Sequence, residues 1–67
     1  MPETKLDMAR RHVREGAGRI DRQKRLVAEL ERNGHRRILP DARGLLAAMQ
    51  EFQIVAGSHL AELEGQP

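Results

Sequence analysis

The sequence predicts an all-α fold: an antiparallel two-helix hairpin that dimerises into a four-helix bundle. Three observations carry this expectation. Two segments place apolar residues at 3-4 spacing, the signature of a helix face. A short connection joins them. And 67 residues enclose so small a core that chains of this size often lean on a disulfide, a metal or oligomerisation.

The first helix is expected over residues 4–33. Leu6, Val13, Ile20 and Val27 recur every seven residues, and Ala9, Gly16, Gln23 and Leu30 form a companion row three residues on. That is the 3-4 pattern of a coiled-coil seam. Thr4 is the expected N-cap, with Asp7 three residues later completing a capping box. Asn33-Gly34 ends the pattern, Gly34 suiting the left-handed position after a helix and Arg32 favouring the C-terminal dipole. Such a helix is roughly 45 Å long.

Residues 34–40 form the connection. Pro40 fits a first helical turn and Asp41 a helix N-terminus, so the second helix is expected over 41–64, its start lying between Ile38 and Asp41. Its seam reads Ala42, Leu45, Met49, Phe52, Ala56, His59 and Leu63, closed by Gly65 and Pro67. Leu46, Ala48, Val55 and Leu60 flank that seam, and Ile54 stands on the far side. A two-helix contact buries one narrow stripe, whereas a bundle helix buries a wider one. The second helix thus carries more apolar surface than the first can cover. A dimer interface over Leu46, Met49, Phe52, Val55, Leu60 and Leu63 is the expected remedy.

Composition narrows the function classes. The chain has no cysteine, which excludes disulfides and cysteine-based zinc sites. It has no apolar run of membrane-spanning length, and its first residues do not form a secretory signal; a cytoplasmic protein is expected. Phe52 is the only aromatic residue, which argues against a base-stacking platform. The pI is about 9.9, but the charge is unevenly placed. Residues 1–38 hold 11 Lys+Arg against 6 Asp+Glu, and residues 39–67 hold 1 against 4. A basic half and an acidic half attract each other within a hairpin and orient a partner.

Chemistry-bearing motifs are sparse. Glu15-Gly16-Ala17-Gly18 lies inside a helical pattern, not after a strand, and so is not a dinucleotide fingerprint. Ser58 lacks a nucleophile-elbow setting. An enzyme is not expected, nor a cofactor. His12 and His59 approach each other near the open end of the hairpin, with Glu15 and Glu62 nearby. Histidine and carboxylate on facing helices is how bundle metal sites are built, but the paired Glu-x-x-His motif is absent, and ordinary interfacial histidines are the favoured reading. Arg10, Arg11, Arg14, Arg22 and Arg25 are phosphate-binding candidates. Set against this, Asp7–Arg11, Glu15–Arg19 and Asp21–Arg25 are spaced as helical ion pairs, which reads as a solvated face.

In length and architecture the chain resembles the plasmid-encoded Rop-type RNA-binding hairpins, whose dimer is a four-helix bundle. That resemblance implies a dimer and an RNA ligand; no RNA-contacting motif matches residue by residue, so no site residue is carried over. Residues 12–48, from His12-Val13-Arg14-Glu15-Gly16 through Leu26-Val27-Ala28-Glu29-Leu30-Glu31-Arg32-Asn33-Gly34-His35 to Leu45-Leu46-Ala47, also look like small uncharacterised bacterial helical proteins, which implies no particular activity. The expectation is a non-enzymatic helical module acting through protein contacts, as an adapter or small regulator. The alternatives are a Rop-like RNA or DNA binder and, behind it, a metal-binding bundle.

Overall fold

The structure is a computed structural model and describes residues 2–66. Two helices, α1 over Lys5–Arg32 and α2 over Leu39–Glu64, pack against each other, with no strand among the described residues. Each boundary has a local chemical cause. At the start of α1, the Asp7 amide donates to Thr4 Oγ1 at 3.0 Å and the Thr4 amide donates to Asp7 Oδ2 at 3.4 Å. This reciprocal pair satisfies two of the N–H groups that a helix start leaves unpaired. At its end, the His35 amide donates to the Leu30 carbonyl and the Gly34 amide to that of Glu31, while Gly34 adopts φ +71°. These two bonds around a left-handed glycine form a Schellman motif, which ends the helix by capping its last carbonyls.

The second helix begins at Leu39, two residues before Asp41, because Pro40 is accommodated in its first turn, where no intrahelical N–H is needed. Ile38 precedes it without a side-chain cap. Gly65 closes the helix, its amide donating to the Ala61 carbonyl. Pro67, also expected at this end, lies outside the described residues.

The face of α1 that meets α2 is the one its heptads specify. Ala9, Gly16, Val27 and Leu30 are buried, and Leu6, Val13, Ile20 and Gln23 are half-buried. The face of α2 differs from the expected seam. Ala42, Met49, Ala56 and Leu63 are half-buried as anticipated, but the row between them is Leu46, Gln53 and Leu60, not Leu45, Phe52 and His59. The latter three are exposed. One residue turns a helix by about 100°, and because the row through Ala42, Met49, Ala56 and Leu63 is shared, the centre of the contact is rotated by about half of that. Two glutamines mark where it lies. Gln23 Nε2 of α1 donates to the Ala42 carbonyl at 3.0 Å, and Gln53 Nε2 of α2 donates to the Val13 carbonyl at 2.7 Å.

Gly16 makes room for the second of these bonds. A β-carbon built on Gly16 would collide with the Gln53 amide, whereas one on Gly57 would meet nothing within 4 Å. The sequence places Gly16 opposite Gly57 as a possible tight crossing; instead the space at Gly16 is filled by the end of the Gln53 side chain. Ion pairs add little to this seam. Arg43–Glu31 at 2.9 Å and Arg10–Glu64 at 3.8 Å join the two helices, and all four side chains are about half exposed or more; such pairs contribute about 0–1 kcal/mol each. Arg19 pairs with Glu15 as its spacing implies. Arg11 turns to Glu3 and Glu15 instead of Asp7, whose carboxylate is held in the N-terminal cap.

Two predictions follow from the seam. Gly18→Ala should stabilise the protein by about 1 kcal/mol through helix propensity, since its new methyl meets only the Arg22 guanidinium at 3.7 Å. Gly16→Ala must displace Gln53 and should gain about 1 kcal/mol less, the worth of one hydrogen bond. That deficit should vanish in a Gln53→Ala background. Chemical denaturation at fixed protein concentration checks the cycle, and equal gains at both glycines would refute the role given to Gln53. The rotated face supplies the second prediction. At high dilution, Leu46→Glu should cost about 2 kcal/mol or more by placing a carboxylate between the helices, and Leu45→Glu should cost far less. Far-UV circular dichroism during urea titration separates them, and equal losses would place the seam midway between the two rows.

Candidate protein-interaction surface

The rotation of α2 decides which apolar groups stay exposed. Phe52 precedes Gln53 and Ile54 follows it, so the two turn away from the seam in opposite senses. Phe52 is 75% exposed and Ile54 69%. On the Phe52 side stand Leu45, seven residues before it, and Val55, 53% and 65% exposed. Ile54 has no comparable apolar company on its own side. The uncovered apolar surface of α2 is therefore one-sided and continuous with the half-buried Met49, Ala56 and Leu63.

The same side of α1 contributes to it. A groove of about 540 Å³ runs between the helices, lined by His12, Gly16 and Arg19 of α1 and by Met49, Phe52, Gln53, Val55, Ala56 and His59 of α2. Its floor is apolar and its rim carries the two imidazoles and one guanidinium. Met8, four residues before His12, and Leu26, seven after Arg19, continue this side of α1 towards both ends, and both remain substantially exposed. Gly16 opens the groove at mid-length, because it carries no side chain beside Gln53.

The molecule's dimensions fit this one-sidedness. It measures 51 × 22 × 13 Å, so it is two helices wide and one helix thick. Its radius of gyration is 15.4 Å, against about 11 Å for a compact domain of this length. The chain exposes 5467 Å², about 1,200 Å² more than the scaling for compact monomers of its mass. No residue of α2 is buried among those described. The hairpin is a single layer, whereas stable domains bury one layer against another.

The expected site residues distribute as follows. Phe52 and Val55 lie on the open face; Met49 and Leu63 lie at its edge, half-buried. Leu46 and Leu60, expected to flank the seam and meet a partner, instead share the α1-facing side with Gln53. Leu45, absent from the expected interface, lies on the open face, and Met8 and Leu26 of α1 are exposed on the same side. The signal for Leu45 was present in its seven-residue spacing from Phe52; nothing in the heptads of α1 marked Met8 or Leu26. His12 and His59 do come to one groove, but no group of three or more His, Asp or Glu side chains placed to hold a metal occurs among the described residues. Arg11, Arg14, Arg22 and Arg25 turn to the outside of α1, opposite the seam, while Arg10 reaches round to Glu64. No helix among the described residues is long and apolar enough to cross a membrane. Comparison with protein families, with curated proteins and with solved structures finds no match, so the functional reading rests on the surfaces of this chain alone.

Proposed function

We propose that the protein is a non-enzymatic protein-interaction module, an adapter or small regulator, whose working form is a homodimer packed through the face that carries Phe52. The observation that supports this reading most is the one-sided exposure of Leu45, Phe52 and Val55 beside a groove that is itself apolar. Contiguous apolar patches on small proteins mark interaction sites, whereas single exposed apolar residues do not. The excess surface of about 1,200 Å² is of the order that one partner buries in a specific interface, about 800 Å² or more. Covering it gives the hairpin the second layer that its length denies it.

Sedimentation equilibrium at micromolar concentration tests this reading. The wild-type chain should sediment as a dimer. Phe52→Arg should shift it to monomer, because an unpaired guanidinium in the middle of a buried face costs several kcal/mol. Ile54→Arg, on the other side of the hairpin, should leave the mass unchanged. A wild-type monomer that is fully helical would overturn the proposal.

A second reading, nucleic-acid binding, draws on the outer side of α1. Arg14, Arg22 and Arg25 are exposed there and have no carboxylate within 4.0 Å among the described residues. Three phosphate contacts without an aromatic platform give weak binding with no base readout. If this reading holds, affinity for duplex RNA or DNA should fall about 40-fold between 50 and 200 mM salt. Replacing all three arginines by glutamine should flatten that dependence. Fluorescence anisotropy reads both effects, and an affinity indifferent to salt would exclude the arginines as the contact.

A further inference from the structure

Two hairpins can stack on the Phe52 face in two ways that keep every neighbouring helix antiparallel. With the twofold axis along the bundle, both connections lie at the same end and α2 of one copy rests on α1 of the other. With the axis across the bundle, the connections lie at opposite ends and each helix rests on its own counterpart. Resting on the self-association proposed above, we infer that the dimer takes the first form and that the groove is filled by the partner's Phe52, set against Gly16 between His12 and Arg19.

Three observations select this arrangement. The first is height. Gln53 touches Gly16 and bonds the Val13 carbonyl, so Phe52 stands at the level of Gly16. An axis along the bundle preserves heights, and the partner's Phe52 then arrives over Gly16, where α1 sends out no side chain of its own and only the Gln53 amide covers the backbone. The second is apolar matching along the whole face. Counted from the connection, Leu26 and Leu45 each stand six residues from a helix end, at Arg32 and Leu39, and Met8 and Leu63 each stand 24 residues from those ends, which sets each pair close to one height. Stacking α2 on α1 at equal heights therefore sets the exposed Leu26 and Met8 against the partner's Leu45 and the partner's Leu63.

The third is charge. Across Lys5–Arg32, α1 holds nine Lys+Arg against five Asp+Glu; across Leu39–Glu64, α2 holds one against four. Alternating the helices around the bundle gives every basic helix two acidic neighbours. The other form sets two basic helices side by side and two acidic ones likewise, and like-charge juxtaposition disfavours an assembly.

The chain contains no cysteine, so one introduced thiol reports the arrangement without interference. A His35→Cys variant carries a spin label in the exposed connection. Its label-to-label distance in the dimer, read by pulsed electron paramagnetic resonance, should be about 10–25 Å, one to a few interaxial spacings. A distance close to the 51 Å length of the hairpin, in a sample that sediments as a dimer, would overturn this arrangement and leave self-association standing. A monomer in the sedimentation run would overturn both. The contact itself is read by mixing two single-cysteine chains, Arg19→Cys and Phe52→Cys. Under mild oxidation the mixed disulfide should form in clear excess over the Phe52→Cys homodimer, and the reverse preference would remove Phe52 from the groove.

Discussion

A helix can cover only one stripe of the helix beside it, and this limit governs the whole molecule. α1 presents a single narrow row pair, small at Ala9 and Gly16, with aliphatic residues at Val27 and Leu30. Against it α2 brings an apolar arc that is about twice as wide, reaching from Leu46 and Leu60 round through Met49 and Ala56 to Leu45, Phe52 and Val55. Something on α2 must stay uncovered whichever way it is rotated. The fold chooses to leave the largest group outside.

That choice has a polar cause. Each helix sends one glutamine across the seam to a backbone carbonyl of the other, Gln23 to Ala42 and Gln53 to Val13. A glutamine between two helices is tolerated when its amide finds a partner and is costly otherwise. Gly16 supplies the space in which Gln53 reaches that partner. The two bonds stand at different heights, and together they set both the register and the rotation of α2. The seam that results is only partly apolar, and none of its side chains is fully buried. The single layer therefore contributes little hydrophobic stabilisation of its own, and the exposed face is where more is to be gained.

The two needs meet in one surface. Phe52, turned outward so that Gln53 can turn inward, becomes the most prominent apolar group on the molecule. The glycine that admits Gln53 also opens the groove between the helices beside it. The rotation of the hairpin and its open apolar face thus depend on the same residues.

Much of this was legible in the sequence. The Thr4–Asp7 capping box, the stop at Asn33-Gly34 and the buried rows of α1 are all local or periodic signals, and they appear where the residues place them. α1 was readable because it has one apolar stripe and hence one possible face. The excess of apolar surface on α2 was likewise visible by counting. What the sequence by itself did not determine was which part of that arc meets α1. Leu45, Phe52 and His59 form as good a 3-4 pattern with Met49 and Ala56 as Leu46, Gln53 and Leu60 do, and the first set is the more aromatic. Periodicity ranks faces by apolarity alone. Only the tertiary structure decided between them, because the deciding terms were a hydrogen bond from Gln53 to a carbonyl 40 residues away and the seating of its amide in the space that Gly16 leaves, both of which exist only once the two helices are side by side.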